Sequence, residues 1–294
     1  MLSVVLIPEQ SDHLFMKLKL FIPAILASAS LLTASCGGEQ KTEDTLANDT
    51  VAVAAAVELT DFSASPEYPD AQLGFGDIKT TAQGTDSVKI DFSFDVKNYE
   101  LGSQTADAAG KLCNNSDKGQ HIHFILDNKP YAALYKPTHS VVVPKNSEHY
   151  LLIFLARSYH ESIKTKGASA MLRFKIDEKG KLQKMEAPAT PMVFYSRPKG
   201  DYIGKNNTDN LLLDFYVWNG QLNDSTLSIK AQLKANGVDT TFVLKTWKPY
   251  MLKNVPLGKP SITLTLVDKD GNKATGDNTE VTREFNLAAD EPLK

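Results

Sequence analysis

The pattern that most constrains this chain is a period of two. Val88, Ile90, Phe92, Phe94 and Val96 alternate with polar residues, which puts five apolar side chains on one face of a strand. The segment 121–127 alternates as well, 140–143 is a short β-branched run, and 170–176 reads as a further strand. Tyr150 to Leu155 is continuous and apolar, as expected of a strand between two layers. The pattern then restarts at 211–217, 227–233, 240–244, 261–267 and 281–287. Asn, Gly, Pro and Lys clusters separate the runs, and Asp268-Lys-Asp-Gly-Asn reads as a tight turn. No stretch keeps a 3.6-residue apolar period over three turns. The expected fold is therefore all-β: two tandem immunoglobulin-like antiparallel β-sandwich domains.

The two halves resemble each other. Asp-Asn-Lys-Pro-Tyr stands at 127–131 and Thr-Trp-Lys-Pro-Tyr at 246–250. A Val-Pro step feeds an apolar strand at Val143-Pro144 and again at Val255-Pro256. An internal duplication accounts for both. The prolines of 187–191 interrupt any ladder, so the expected domains are 57–187, carrying the histidines, and 188–294.

The amino-terminal part is a leader. From Met16 the chain has Lys17 and Lys19, then an apolar stretch from Leu20 to Leu32, then Thr33, Ala34, Ser35 and Cys36. The apolar stretch is too short and too rich in small residues to span a bilayer. A small residue before a cysteine at the end of such a stretch resembles the lipobox of bacterial lipoproteins. That resemblance implies cleavage before Cys36 and a lipid on its thiol, with acyl chains worth about 0.8 kcal/mol per buried CH₂. The alternative is an ordinary secretory signal with a chance cysteine; Gly37, Gly38 and the polar tract that follows favour the lipoprotein. Residues 1–15 fit no signal architecture, so Met16 is the expected start. Residues 1–35 are then the signal peptide and 36–56 a lipidated flexible tether. An acidic run after the cysteine directs some Bacteroidota-type lipoproteins to the cell surface, and Glu39, Glu43 and Asp44 are a diluted form of it. The expected location is the cell envelope, anchored to the outer membrane through Cys36, on its periplasmic face or at the surface.

With 42% apolar and 23% charged residues the composition is that of a globular protein, and a net charge of −3 argues against a nucleic-acid partner. Cys36 and Cys113 are the only cysteines. If Cys36 is acylated, Cys113 has no intramolecular partner and the fold rests on apolar burial. Cys113 lies in Lys-Leu-Cys-Asn-Asn-Ser, as an ordinary loop cysteine or a metal-binding thiol.

The chain has six histidines. His13 lies in the leader, and His121, His123, His139, His149 and His160 fall within 40 residues of one another, with none in the second half. His121 and His123 are two apart on a strand, so both rings leave one face while Ile122, Phe124 and Leu126 take the other. Such a pair presents two imidazoles to one cation, and imidazole suits zinc or copper. His139, His149 and His160 sit near strand ends that can meet at one rim of a sandwich. Asp127, Glu148 and Glu161 are candidates to orient the rings or add carboxylates. Against this stand histidines that simply hydrogen bond on the polar side of a sheet, and the spacing matches no established zinc motif.

Around Gly119-Gln-His-Ile-His-Phe-Ile-Leu-Asp127 the chain resembles an uncharacterised family of histidine-containing exported bacterial domains. Pro144-Lys-Asn-Ser-Glu-His149 is similar to a later motif of that family, and His139 and His160 fall near its middle and late histidines. Gln120 stands where the family has a histidine. The resemblance implies an immunoglobulin-like domain with recurring histidines and no particular activity. The expected function is a non-enzymatic envelope binding protein with a copper or zinc site on the first domain. The competing reading is an adhesive module for a peptide, glycan or envelope protein, with Trp247, Tyr250, Tyr131 and Tyr135 as aromatic contacts. An enzyme has less support, because no general base is identifiable beside the histidines and no Gly-x-Ser-x-Gly elbow exists.

Overall fold

A computed structural model describes residues 55–290. The expected signal peptide, Cys36 and all but the end of the 36–56 tether lie outside the described residues. In chain order the strands are β1 (Glu58–Asp61), β2 (Gln72–Gln83), β3 (Ser87–Lys97), β4 (His121–Leu126), β5 (Ala132–Leu134) and β6 (Thr138–Pro144). There follow β7 (Ser147–Ala156), β8 (Ser169–Ile176), β9 (Leu182–Met185), β10 (Met192–Arg197), β11 (Gly200–Ile203) and β12 (Leu211–Trp218). The chain closes with β13 (Leu227–Ala235), β14 (Val238–Leu244), β15 (Tyr250–Lys253), β16 (Ser261–Asp268) and β17 (Glu280–Ala288). The only α-helix among the described residues is the single turn α1 (Lys205–Thr208). Among these residues no helix is long and apolar enough to cross a membrane.

The strands form two sandwiches, as the period-two pattern predicts. The first packs the sheet β2-β3-β6 on the sheet β5-β4-β7-β8-β9. The second packs β1-β15-β12-β10 on β11-β17-β16-β13-β14. Pairing is antiparallel except for β11 beside β17. Val88, Ile90, Phe92 and Phe94 of β3 meet Ile122, Phe124, Leu151, Ile153 and Leu155 in the first core. Leu211, Leu213, Phe215 and Val217 of β12 meet Ile229, Leu233, Ile262 and Leu264 in the second.

A third apolar layer joins the sandwiches. On β7, Leu151, Ile153 and Leu155 point into the first core, so Leu152, Phe154 and Ala156 point out of it. Together with Ile125 and Tyr131 they pack on Met192 and Phe194 of β10 and Tyr216 of β12. Phe154 stacks on Tyr216 at 5.0 Å between ring centres. Covering both faces explains why β10 is buried throughout and why the second half of β7 carries no polar alternation.

Two expectations need correction. The first domain was to start at 57, but β1 pairs with β15 in the second sandwich, from Glu58 opposite Lys253 to Asp61 opposite Tyr250. The chain thus begins in the second sandwich, builds the first and returns. The two Lys-Pro-Tyr segments are also not equivalent: one joins β4 to β5 and the other β14 to β15, which pair with different sheets. The Val-Pro steps do correspond, each leading into a strand (β7 or β16) at the middle of its five-stranded sheet.

Candidate metal centre

Of the five histidines, three converge. His121 and His123 leave β4 on the face that carries Ile125, turned toward the second sandwich. His160 arrives from the β7–β8 connection. In the antiparallel register His121 lies opposite Ala156, so a residue four positions past Ala156 is at the same end of the sheet. Each of the three offers one ring nitrogen, and these nitrogens lie within 4.8 Å of one another. His121 and His123 are fully buried and His160 nearly so.

The hydrogen bonds orient the rings. His121 Nδ1 is 2.8 Å from the Gly119 carbonyl oxygen. A carbonyl only accepts, so Nδ1 carries the proton of the neutral ring and Nε2 presents its lone pair. His123 Nε2 and His160 Nδ1 each stand 3.0 Å from that atom. The other nitrogen of His123, Nδ1, is 3.2 Å from the Ser196 hydroxyl on β10. This is the outer hydrogen bond that metal-binding imidazoles commonly make. Bonds of about 2.0–2.1 Å in tetrahedral array place donor nitrogens roughly 3.3 Å apart. Two of the three separations, at 3.0 Å, are slightly below that value, and all three lie within 4.8 Å, so the rings are near enough for one ion after side-chain adjustment.

The electrostatics favour neutral rings. Burial lowers the His121 pKa to about 4, against a smaller opposing effect of the Gly119 carbonyl. Burial likewise holds His123 and His160 well below the ordinary histidine value, with Arg197 and Lys199 pushing in the same direction. Neutral imidazole is the form that ligates, so no proton competes for the lone pairs near neutral pH.

The second sandwich supplies a second feature. Tyr131 stacks on His123 at 3.6 Å and 9°, and its hydroxyl is 3.3 Å from His160 Nδ1. The Lys199 ammonium stands 4.1 Å from the centre of the Tyr131 ring and donates to the Tyr131 carbonyl at 2.7 Å. The Arg197 guanidinium is 5.5 Å from the same ring and donates to the Tyr202 hydroxyl at 3.0 Å. Burial raises the Tyr131 phenol above its usual pKa, and Arg197 opposes this. Arg197 is buried, its Nε has no partner, and neither it nor Lys199 forms an ion pair among the described residues.

The loop that carries His160 is held tightly. His160 sits at φ 68°, left-handed backbone that a branched or bulky residue rarely adopts. Its amide donates to the Arg157 carbonyl at 2.8 Å. Arg157 pairs with Glu161 and donates to the Pro66 carbonyl. Asp214 on β12, fully buried, accepts from the Ser162 amide and hydroxyl and from Lys164 at 2.7 Å. Residues kept in sparsely populated backbone regions cluster at functional sites.

His139 and His149 stand apart from the trio. His149 is near the start of β7, seven residues from Ala156 and so about 23 Å away along the strand. It bonds to Asp127 at 2.8 Å and Ser147 at 2.7 Å. His139 belongs to β6 in the opposite sheet and packs edge-on against Phe124 at 4.7 Å. The expected carboxylates are engaged elsewhere: Asp127 with His149, Glu148 with Arg173, and Glu161 with Arg157 and Ser65. Gln120 leaves the chain on the other side of His121 and ties the preceding loop down through Tyr68 and the Glu100 carbonyl. A glutamine there takes nothing from the trio. Cys113 lies in a loop, as expected, but is buried against Tyr159, Leu212 and Met251, and burial pushes its thiol up to about 12.

Ser196, Arg197 and Lys199 were not singled out in the sequence. The one signal was the apolar run Met192–Tyr195 after the prolines of 187–191, which marks β10. Elsewhere, a surface cavity of about 1020 Å³, lined by residues of the second sandwich such as Thr208, Val238 and Leu257 together with Ala55 to Val57, holds none of the histidines. A groove of about 660 Å³ is lined by Trp218, Trp247, Tyr216, Lys166 and Asn219.

No protein-family model matches the chain, and no curated protein matches it. Similarity to solved structures is found for the fibronectin(III)-like modules of Clostridium thermocellum CbhA, at 11% identity over 70% of this chain and 89% of that one, TM-score 0.25. It is also found for a two-domain fibronectin type-III segment of chicken tenascin, at 8% identity over 74% of this chain and 99% of that one, TM-score 0.22. Three N-terminal domains of the bacteriophage RB49 outer capsid protein Hoc match at 12% identity over 74% and 70%, TM-score 0.21. At these scores the sandwich assignment rests on the strand order itself.

Proposed function

We propose that this chain is a lipid-anchored cell-envelope protein that binds one transition-metal ion, copper or zinc, through His121, His123 and His160, and that it acts as a binding protein, not an enzyme. The observation that carries the reading is the convergence of three buried neutral imidazoles, two of which have their outer nitrogen oriented, His121 by the Gly119 carbonyl and His123 by the Ser196 hydroxyl. A neutral imidazole has one acceptor nitrogen, and the single lone pair of His121 Nε2 is approached at 3.0 Å by both other rings, one more than one N–H···N bond accounts for. The anchor rests on the lipobox-like segment ending at Cys36 and places the site in the envelope.

The test is calorimetric titration of the metal-stripped full chain, purified in detergent, with Cu²⁺ and Zn²⁺. One ion per chain is expected, with affinity lost by at least about a hundredfold in His121→Ala. His149→Ala, a site remote from the trio, should leave affinity unchanged. Equal affinity in wild type and His121→Ala would sink the reading. Mass spectrometry of the mature amino terminus checks the anchor, and an unmodified Cys36 thiol would remove it.

The groove beside Trp218 and Trp247 is what favours the competing reading, a module for a peptide or glycan. Its aromatic walls and amide groups suit a sugar face, and its occupation is independent of the histidines.

A further inference from the structure

We propose that the second sandwich holds one small inorganic anion, of chloride's size and charge, bound by the Tyr195 hydroxyl and by the Nε–Nη2 edge of the Arg283 guanidinium. This site is independent of the metal reading. Period two carries Arg283 inward: it lies on β17 between Val281 and Phe285, both in the second core, and opposite the core residue Ile262 on β16. Its guanidinium stands 5.9 Å from the centre of the Tyr195 ring on β10. Nη1 donates to the Thr282 carbonyl at 2.7 Å, whereas Nε and Nη2 are buried with no partner. Tyr195 is 1% exposed, and its hydroxyl has no partner either. Three unpartnered donors thus collect at one corner of the second core.

Buried polar groups are almost always hydrogen bonded, so this corner needs an occupant. Water would satisfy the donors, but charge decides against it. Arginine stays protonated in proteins, and no carboxylate accepts from Arg283 among the described residues. Tyr195 does not supply the negative charge. Burial raises its phenol well above the usual value, Tyr202 adds to this, and Arg283 and Arg197 oppose it, so the group remains a neutral donor. Arg197, two residues along β10, brings a second buried cation near. It bonds to the Tyr202 hydroxyl at 3.0 Å, the Lys199 carbonyl at 3.3 Å and the Tyr131 side chain, all neutral, and its Nε is unpartnered. A cation withdrawn from water is costly unless it is paired. An anion supplies that pairing, and the two N–H groups of one guanidinium edge point the same way, so a single anion meets both. The donors are shut off from solvent, which excludes a bulky organic acid.

The experiment is thermal melting of the chelator-treated full chain at constant ionic strength, with chloride exchanged for gluconate, which is too large to enter. Chloride at several times its dissociation constant should raise the midpoint by about 2–4 °C. Arg283→Met keeps an apolar stem and removes the charge, so its midpoint should not respond to chloride. Tyr195→Phe should need several-fold more chloride for the same shift. An equal response in wild type and Arg283→Met, or a wild-type midpoint that does not distinguish the two anions, overturns the proposal. Should Arg283→Met fail to fold, wild-type crystals soaked in bromide decide. An anomalous peak within hydrogen-bonding reach of Tyr195 Oη and Arg283 supports the anion, and water alone at that position overturns it.

Discussion

His121, His123 and His160 bring ring nitrogens to 3.0 Å in a buried layer, which is tolerable only while the rings are neutral. This sets an acid limit on the metal-free protein. Between pH 6.5 and about 4 the unfolded chain binds a proton at His121 that the folded chain does not. Unfolding free energy is therefore full above pH 6.5 and falls as pH drops through that window, by on the order of 3 kcal/mol from His121 alone. His123 and His160, depressed by the same burial, add in the same sense. Glu161 acts oppositely, since burial raises its carboxyl and the folded state takes up its proton first. Thermal melts of chelator-treated protein from pH 8 to 4 should show a declining midpoint below 6.5, and His121→Gln should flatten the decline. An acid limb identical in wild type and variant would show that the trio is not its cause.

At the scale of strands and loops, the site depends on one parity and one register. The parity was legible: His121 and His123 are two apart, and alternation sends both to the side that Ile122 and Phe124 do not use. The register was legible only in part. His160 joins because β4 and β7 pair with His121 opposite Ala156. His149 cannot join because it occupies the other end of the same strand, and His139 because its strand lies in the facing sheet. Nearness in sequence gathered five histidines, strand length separated His149, and sheet assignment separated His139. Ser196, Arg197 and Lys199 could not be placed from local pattern, because a packing of one sandwich on another brings them in. The same holds for Asp214, an acid inside the apolar run of β12 that anchors the His160 loop. Asp214→Ala leaves Lys164 and the Ser162 amide without their buried acceptor and should destabilise by about 3–5 kcal/mol. Because the loop then loses its tie, copper affinity should fall as well, although Asp214 touches no histidine. Denaturant titration and calorimetry on the same sample check both effects. Lost stability with unchanged affinity would mean that Arg157 and Glu161 alone hold His160 in place.

For the whole molecule the question is whether the two sandwiches unfold as one. The alternation of each strand announced two cores, and both are present. It did not announce the third layer, because the residues that build it, Leu152, Phe154, Met192, Phe194 and Tyr216, read equally well as the interior of a single sandwich. Each such side chain contributes roughly 1.5–3 kcal/mol by its burial. The chain path strengthens the union, since β1 precedes the first sandwich in sequence and pairs in the second. The site straddles the same layer, with its ligands on one sandwich and Ser196 on the other. A joint of this size makes the two lobes a single cooperative unit. Scanning calorimetry should show one transition whose calorimetric and van't Hoff enthalpies agree. Phe92→Ala, deep in the first core and distant from the joint, should cost about 3–5 kcal/mol and move the entire transition, not one shoulder of it. Leu264→Ala in the second core should do the same at a cost of about 2–5 kcal/mol. Two peaks, of which Phe92→Ala moves one and Leu264→Ala the other, would mean that the layer between the sandwiches opens first. Opening of the layer would then take Ser196 away from His123 while all three ligands stayed on the first sandwich, so bound copper would raise chiefly the peak that Phe92→Ala moves.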